Sequence, residues 1–136
     1  MKLNTRLKKI GDLVDTNSLV LDIGCDHAFL DIYLGKERGF KKAIASDIGE
    51  GPLKCALDNI KKYKVEDKIE LRLGDGLSSY TDDIDTAVVS GMGGRTIIGI
   101  FKNNFAITKK LKQIILSPNN YQEDVRKFFR KNGFYI

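Results

Sequence analysis

Five short apolar runs are spaced along the chain, and each is followed at once by a turn rich in glycine, aspartate or asparagine. The runs are LVLDI (19–23), KAIASDI (42–48), IELRL (69–73), IDTAVVS (84–90) and QIILS (113–117). Between them the apolar residues return at helical spacing. Leu7, Ile10, Leu13 and Val14 mark a helix over 6–14. Ala28, Phe29, Ile32 and Tyr33 mark another, ending near Gly35 or Gly39. Gly51-Pro52 opens a third, since proline is tolerated in a first turn, and it should bury Leu53, Ala56, Leu57 and Ile60. Ile97, Ile98 and Phe101 belong to a fourth, and Val125, Phe128 and Phe129 to a last one stopped by Gly133. Alternating strands and helices imply βαβ units, hence an α/β fold with a doubly wound, mostly parallel sheet. LVLDI, KAIAS and TAVVS are apolar on both faces, as buried parallel strands should be. In IELRL, the alternation places Ile69, Leu71 and Leu73 on one side. The closing FYI (134–136) reads as the start of a sixth strand. The expectation is therefore a sheet truncated at its C-terminal end, in a fragment of a longer protein.

At 136 residues, one domain over 1–136 is expected. Hydrophobic residues are 42% and charged residues 30%, which is ordinary for a folded globular chain and excludes disorder throughout. No apolar run is long enough to cross a membrane, and MKLNTRLKKIGDLV has no secretory signal pattern. Cys25 and Cys55 form neither a CxxC pair nor a disulfide framework, so a reducing, cytoplasmic setting is expected. Cys55 should be core. No metal-ligand spacing occurs, so no metal is expected. The positive charge is uneven. Residues 102–136 hold eight Lys and Arg against two Asp and Glu, whereas the rest is close to neutral. A basic region of this kind is either a solvated helix face or a surface for a polyanion such as nucleic acid.

In doubly wound sheets, ligands sit at the carboxyl ends of the strands. The first such turn is Asp22-Ile23-Gly24-Cys25-Asp26-His27. A dinucleotide fingerprint needs GxGxxG here, but only Gly24 is present; Asp26 and Phe29 fill the other two glycine positions. A carboxylate at Asp26 would repel a pyrophosphate. It would attract a cationic ligand, and S-adenosylmethionine carries a sulfonium, an ammonium and no phosphate. Asp22 and Asp26 suit it. Asp47 ends the second strand, where an acid accepts hydrogen bonds from ribose hydroxyls; the competing reading is a cap for the next helix. Gly74-Asp75-Gly76 leaves room for a flat ring, with Asp75 free to accept from an adenine amino group, or is a simple turn. Ser90-Gly91-Met92-Gly93-Gly94 lets backbone approach a ligand closely, so the reacting atoms should meet there. Ser117-Pro118-Asn119-Asn120 offers amide donors and acceptors suited to a base edge, although Asn120 is also a good N-cap for the next helix. His27 is more plausible as a structural residue than as a general acid or base. Cys25 is a small spacer at a helix start, where thiol pKa values can fall.

Taken together, these segments resemble the bacterial tRNA (adenine-22-N1)-methyltransferase family, a class I group dependent on S-adenosylmethionine. The likeness is carried by RLKKI with Arg6, DIGCDHAFL (22–30), EGPLKCALDNI (50–60), LRLGDGL (71–77), SGMGG (90–94) and SPNN (117–120). It implies a Rossmann-like methyltransferase domain, with a C-terminal coiled-coil domain beyond it that helps hold tRNA. It places Asp22, Gly24, Asp26 and His27 on the methionine side of the cofactor and Asp47 on the ribose. Gly74, Asp75 and Gly76 fall on the adenine side, Ser90, Gly91 and Met92 beside the methyl group, and Arg6 at the cofactor carboxylate. Two positions depart from the family: Asp31 stands where it usually has proline, and Cys25 where serine is frequent. The implied reaction is attack of adenine N1 on the methyl group, with Ser90, Met92 and Asn119 at the reacting centre and Asn119 reading the adenine edge. N1 has an in-plane lone pair, so alignment matters more than a strong base, and the base must be flipped out of its stack. Lys109, Lys110, Lys112, Arg126, Lys127, Arg130 and Lys131 would follow the phosphates of tRNA. A monomer is expected. The competing readings are a cofactor- or RNA-binding fragment without turnover, methylation of another acceptor, and an NAD(P)-dependent oxidoreductase, which Asp26 opposes.

Overall fold

Each strand is joined to the next by a crossover, so all five run parallel. The computed structural model describes residues 2–136. The strands are β1 (Val20–Ile23), β2 (Ala43–Asp47), β3 (Ile69–Leu73), β4 (Thr86–Ser90) and β5 (Gln113–Ser117). The helices are α1 (Thr5–Leu13), α2 (Phe29–Lys36), α3 (Glu50–Lys62), α4 (Gly94–Asn103), α5 (Phe105–Thr108) and α6 (Gln122–Lys131). A short 3-10 turn covers Gly76–Ser79. The strand order is β3-β2-β1-β4-β5, so the order reverses at β1. Val20 lies beside Ala43 on one edge and Thr86 on the other. This is the Rossmann-like arrangement, with its ligand crevice at the switch point between β1 and β4.

Alternation along β1 divides the core. Leu21 and Ile23 point to the face covered by α4 and α6, where they pack with Val89, Ile97, Phe101 and Phe129. Val20 points to the other face, with Ile10, Leu30 and Leu34 from α1 and α2. α2 is buried from Leu30 through Gly35, since the sheet, α1 and α3 all pack against it. Its approach to α1 needs a glycine: a Cβ on Gly11 would come within 2.6 Å of the Tyr33 ring. The Tyr33 hydroxyl donates to Asp12 at 2.6 Å, and the Arg38 guanidinium holds the Gly11 and Val14 carbonyls at the end of α1.

The structure corrects several expectations from patterning. Residues 134–136 form no strand; Phe134 instead packs its ring on Phe129 at 5.2 Å and donates its N–H to the Phe129 carbonyl. Cys55 is exposed, because it lies one position off the face that buries Ala56 and Ile60. Leu57 faces outward for the same reason. Leu13 is exposed at the end of α1, whose buried positions are Ile10 and Gly11. Leu73 is 58% exposed because it closes β3, the edge strand, past the cover of α3. Among the described residues no helix is long and apolar enough to cross a membrane, and no group of three or more His, Cys, Asp or Glu could hold a metal ion.

Candidate active site

The β1 turn is built on backbone hydrogen bonds and on conformations that few side chains adopt. Gly24 and Cys25 both donate to the Ser46 carbonyl, at 2.9 and 2.8 Å, which pins the turn to the end of β2. Gly24, Asp26 and Ala28 have φ values of +73°, +51° and +63°. Asp26 and Ala28 are non-glycine residues in the left-handed region, and such strain collects at ligand-binding turns. Asp47 holds this conformation. One of its carboxylate oxygens accepts from the Asp26 N–H at 3.1 Å and the other from the Gly49 N–H at 3.1 Å. Asp47 is therefore more than a cap for α3, whose N-cap Gly49 receives no side-chain bond from its own residue. It ties the β1 turn to the β2 turn, and each oxygen keeps a lone pair toward the crevice.

The acids differ in exposure. The Asp26 side chain is largely exposed, 3.8 Å from His27 Nε2. Asp22 is 2% exposed, and its Oδ1 has no partner. Burial pushes the Asp22 carboxyl up to about 6; the negative charge of Asp47 acts in the same direction and a hydrogen bond with Asp31 opposes it. The Cys25 thiol is likewise pushed far up, first by burial and then by Asp31, Asp22, Asp47 and Asp26. It is an inert spacer, and the helix start does not activate it. His27 is half-exposed, and its carbonyl accepts from the Asn59 side chain at 3.0 Å.

The third turn is a structural one around a glycine that admits no side chain. A Cβ on Gly74 would lie 2.2 Å from Ser79 Oγ. Asp75 precedes the 3-10 turn: its carbonyl accepts from the Ser78 N–H at 3.0 Å, and Ser78 Oγ accepts from the Asp75 N–H at 2.8 Å. Gly76 has φ +57° and backs onto Ile100. Asp75 is exposed, and the Gly74 N–H donates to the Asp47 carbonyl at 3.0 Å. The turns after β1, β2 and β3 form one connected wall.

The opposite wall comes from β4 and β5. Ser90 and Ser117 are register partners. Gly91, at φ +101°, donates to the Ser117 carbonyl at 3.0 Å. Asn119 donates its backbone N–H to the Met92 carbonyl at 2.8 Å and its side-chain amide to the Gly91 carbonyl at 2.5 Å. Its Oδ1 remains free to accept. Asn120 caps a helix, as its residue type allows, but the helix is α4 and not the one that follows: its Oδ1 accepts from the Gly94 N–H at 2.9 Å. Gly94 must be glycine, since a Cβ there would lie 2.4 Å from the Asn120 carbonyl oxygen and 2.9 Å from Tyr121 Cβ. Gly94→Ala is expected to destabilise the protein by about 1–3 kcal/mol, the usual range for forced overpacking. A thermal melt checks it, and an unchanged midpoint would mean that the loops are not locked together here. Met92 reaches across to the first wall: its Cε would lie 2.7 Å from a Cβ on Gly24. Arg6 also reaches the strand ends, with Nη1 3.4 Å from Ser117 Oγ.

Two features of the crevice are not visible as motifs. The Arg95 guanidinium stacks on the Tyr121 ring at 4.2 Å, and Tyr121 holds φ +51° beside Asn120. The pair stands exposed at the rim of the second wall. Asp31, in the first turn of α2, is wholly buried beside Asp22. The basic surface, in contrast, is not gathered at this rim. Lys109, Lys110 and Lys112 precede β5 and lie at the far end of the sheet, with Lys110 on Asp82 and Lys112 on Asp85. Arg126 and Arg130 both pair with Glu123. Two cavities of about 500 and 510 Å³ also lie away from these turns, one along β5 and α6 and one at the amino ends of β1 and β2.

Comparison with known proteins agrees with this geometry. A family model for a methyltransferase domain matches residues 3–136. The tRNA (adenine(22)-N(1))-methyltransferase of Bacillus subtilis (strain 168) is 29% identical over 137 residues, which cover 100% of this chain and 58% of that protein. Among solved structures, TrmK of M. capricolum in complex with S-adenosyl-homocysteine has a TM-score of 0.89 at 31% identity, covering 100% of this chain and 61% of that one. A protein of the NADB-Rossmann superfamily from Streptococcus agalactiae has a TM-score of 0.94 at 37% identity, with 100% and 61% covered. The chain thus spans less than two thirds of the length of these relatives. A family model that runs along almost the whole sequence, on a sheet whose crevice is lined by carboxylates where a phosphate binder would carry glycines, shows that the chain belongs to the methyltransferase domain family.

Proposed function

We propose that this domain binds S-adenosylmethionine and transfers its methyl group to N1 of an adenine in tRNA. The observation that carries the reading is the charge of the first wall. Asp22, Asp26 and Asp47 converge on one strained turn, and Asp22 presents a buried oxygen with no partner. Such a wall suits an ammonium and a sulfonium and repels a pyrophosphate, which opposes the oxidoreductase reading. The curated relative from Bacillus subtilis, named for adenine-22 N1 methylation, supplies the acceptor.

Bound there, the cofactor supplies an electrophilic methyl carbon. The chain's own residues supply position. Asp22 and Asp26 take the methionine side, with Gly24 leaving room for it and His27 at its margin. Asp47 takes the ribose hydroxyls with its remaining lone pairs while its amide bonds keep the turn in shape. Gly74, Asp75 and Gly76 form the adenine side, with the exposed Asp75 carboxylate accepting from the adenine amino group. Arg6, from α1, faces the cofactor carboxylate. Ser90, Gly91 and Met92 border the methyl group and exclude water from it. Asn119, locked by two hydrogen bonds to this turn, holds its free Oδ1 toward the acceptor base. Alignment of the base nitrogen with the methyl carbon accounts for most of the acceleration in such a transfer. The carbonyls and amides of the second wall then favour the positive charge that develops on the base. The exposed Arg95–Tyr121 stack at its rim offers a flat cationic surface to the RNA around a flipped base.

Calorimetric titration with S-adenosylmethionine and S-adenosyl-homocysteine, with NADH as control, tests the cofactor. The expected result is binding of both S-adenosyl ligands and none of NADH. A radiolabelled methyl transfer to tRNA, with the modified base identified by mass spectrometry, tests the acceptor. NADH binding, or no S-adenosyl binding by a folded chain, overturns the cofactor reading. Binding without transfer, when the chain is assayed at full length, overturns the enzymatic one.

A further inference from the structure

The first crossover leaves two carboxyl groups in contact inside the protein. Asp22 points from β1 toward α2, and Asp31 points from the first turn of α2 toward β1. Asp22 is 2% exposed and Asp31 0%. They are neighbours, each shifting the ionisation of the other. Asp22 Oδ1 and both oxygens of Asp31 are buried without a hydrogen-bond partner among the described residues. Two carboxylates cannot both ionise in such a place, because each loses its water and repels the other.

The surroundings offer no compensating charge. The end of β2 contributes Asp47, whose charge disfavours a negative charge on Asp22, and the buried Cys25 thiol of the β1 turn stays uncharged. His27 faces Asp26 at 3.8 Å, and α3 meets this turn through the neutral amide of Asn59. α1 packs on α2 with Asp12, which is taken up by the Tyr33 hydroxyl and Lys8. The balance must come from one proton held between the two carboxyls, with the pair carrying a single negative charge.

We propose that Asp31 is a positioning residue of the cofactor site: it carries that proton, donates it to Asp22, and so presents the Asp22 carboxylate as an oriented monoanion to the cofactor's ammonium group. The proposal rests on the cofactor reading above. The shared proton also sets an acid limit. Below about pH 6 Asp22 takes up its own proton, and the attraction for a cation goes with the charge.

The pH profile of S-adenosyl-homocysteine affinity, measured by calorimetry from pH 5.5 to 8.5, separates this role from simple packing. Asp31→Asn keeps a donor and is expected to follow the native profile, within about threefold at pH 7.5. Asp31→Leu removes the donor that stabilises the Asp22 charge. Its acid limb is expected to move up by one pH unit or more, giving at least about a threefold loss at pH 6.5 that is largely recovered at pH 8.5. Equal loss at every pH, or a profile identical to the native one, overturns the proposal. Should Asp31→Leu fail to fold, Asp31→Asn decides through its melts. Native stability falls as pH rises from about 4 upward, because the folded pair holds its protons to higher pH than the unfolded chain does. Asp31→Asn must lose most of that slope, and an unchanged slope overturns the shared proton. A folded native chain that binds no S-adenosyl-homocysteine at any pH removes the cofactor reading itself, and the positioning role with it.

Discussion

Asp47→Ala is expected to weaken S-adenosyl-homocysteine binding by about 100-fold, close to 2.7 kcal/mol. The estimate starts from the free protein. Asp47 accepts from Asp26 and Gly49 at 3.1 Å each, and both bonds are charge-assisted. Hydrogen bonds to a charged group contribute about 1.5–3 kcal/mol apiece when they are well formed. Without them nothing on this side holds Asp26 at φ +51°, and the turn relaxes to a conformation that a bulky residue prefers. Binding must then restore the turn, and it also lacks the ribose contacts. Asp47→Asn keeps one acceptor and is expected to fall between. Calorimetry gives the affinities, and circular dichroism shows that the fold persists. A Kd unchanged by the alanine substitution would mean that the turn is held elsewhere and that Asp47 does not meet the ligand.

Phe101→Ala should have the largest effect on stability, about 3–5 kcal/mol. Phe101 is wholly buried and meets Phe129 edge-on at 5.4 Å. It belongs to the core that joins β1 and β4 to α4 and α6. The cavity cannot close easily, because Phe129 is itself fixed by edge contacts with Phe128 and Phe134. For a chain of this size that is a fall of roughly 10–20 °C in Tm. Calorimetric melting measures it. A loss below 1 kcal/mol would show that the aromatic cluster repacks. The effect reaches the site, since α4 begins at Gly94, on the turn that carries Met92.

Period and punctuation made the sheet readable before any coordinates. IELRL and QIILS end where β3 and β5 end, and the other three strands lose only their first or last residues. The turns after the strands carry nearly every side chain of the two walls, because parallel strands can only present a site at their carboxyl ends. What escaped the sequence was tertiary. A rotation of about 100°, one position along α3, decides whether Cys55 or Ala56 is buried, and apolar type alone does not set that phase. Leu73 looks like core until β3 proves to be an edge. The amide of Asn120 suits any nearby helix start, and only the packing of β5 against β4 selects Gly94. Asp31 could not be read as buried, because aspartate in a first helical turn is usually a solvated charge that favours the helix dipole.

The reversal of strand order at β1 has one more consequence. The acid-lined wall belongs to crossovers that run from β1 toward β3, and the wall of Met92 and Asn119 to crossovers that run from β4 toward β5. The two are hinged along a single line of pairing, Val20 to Ile23 against Thr86 to Val89. A ligand that fills the crevice touches both sides of that line and acts as a staple across it. Its grip resists local opening of the seam and not only global unfolding, whereas a ligand confined to either wall leaves the seam as free to breathe as before.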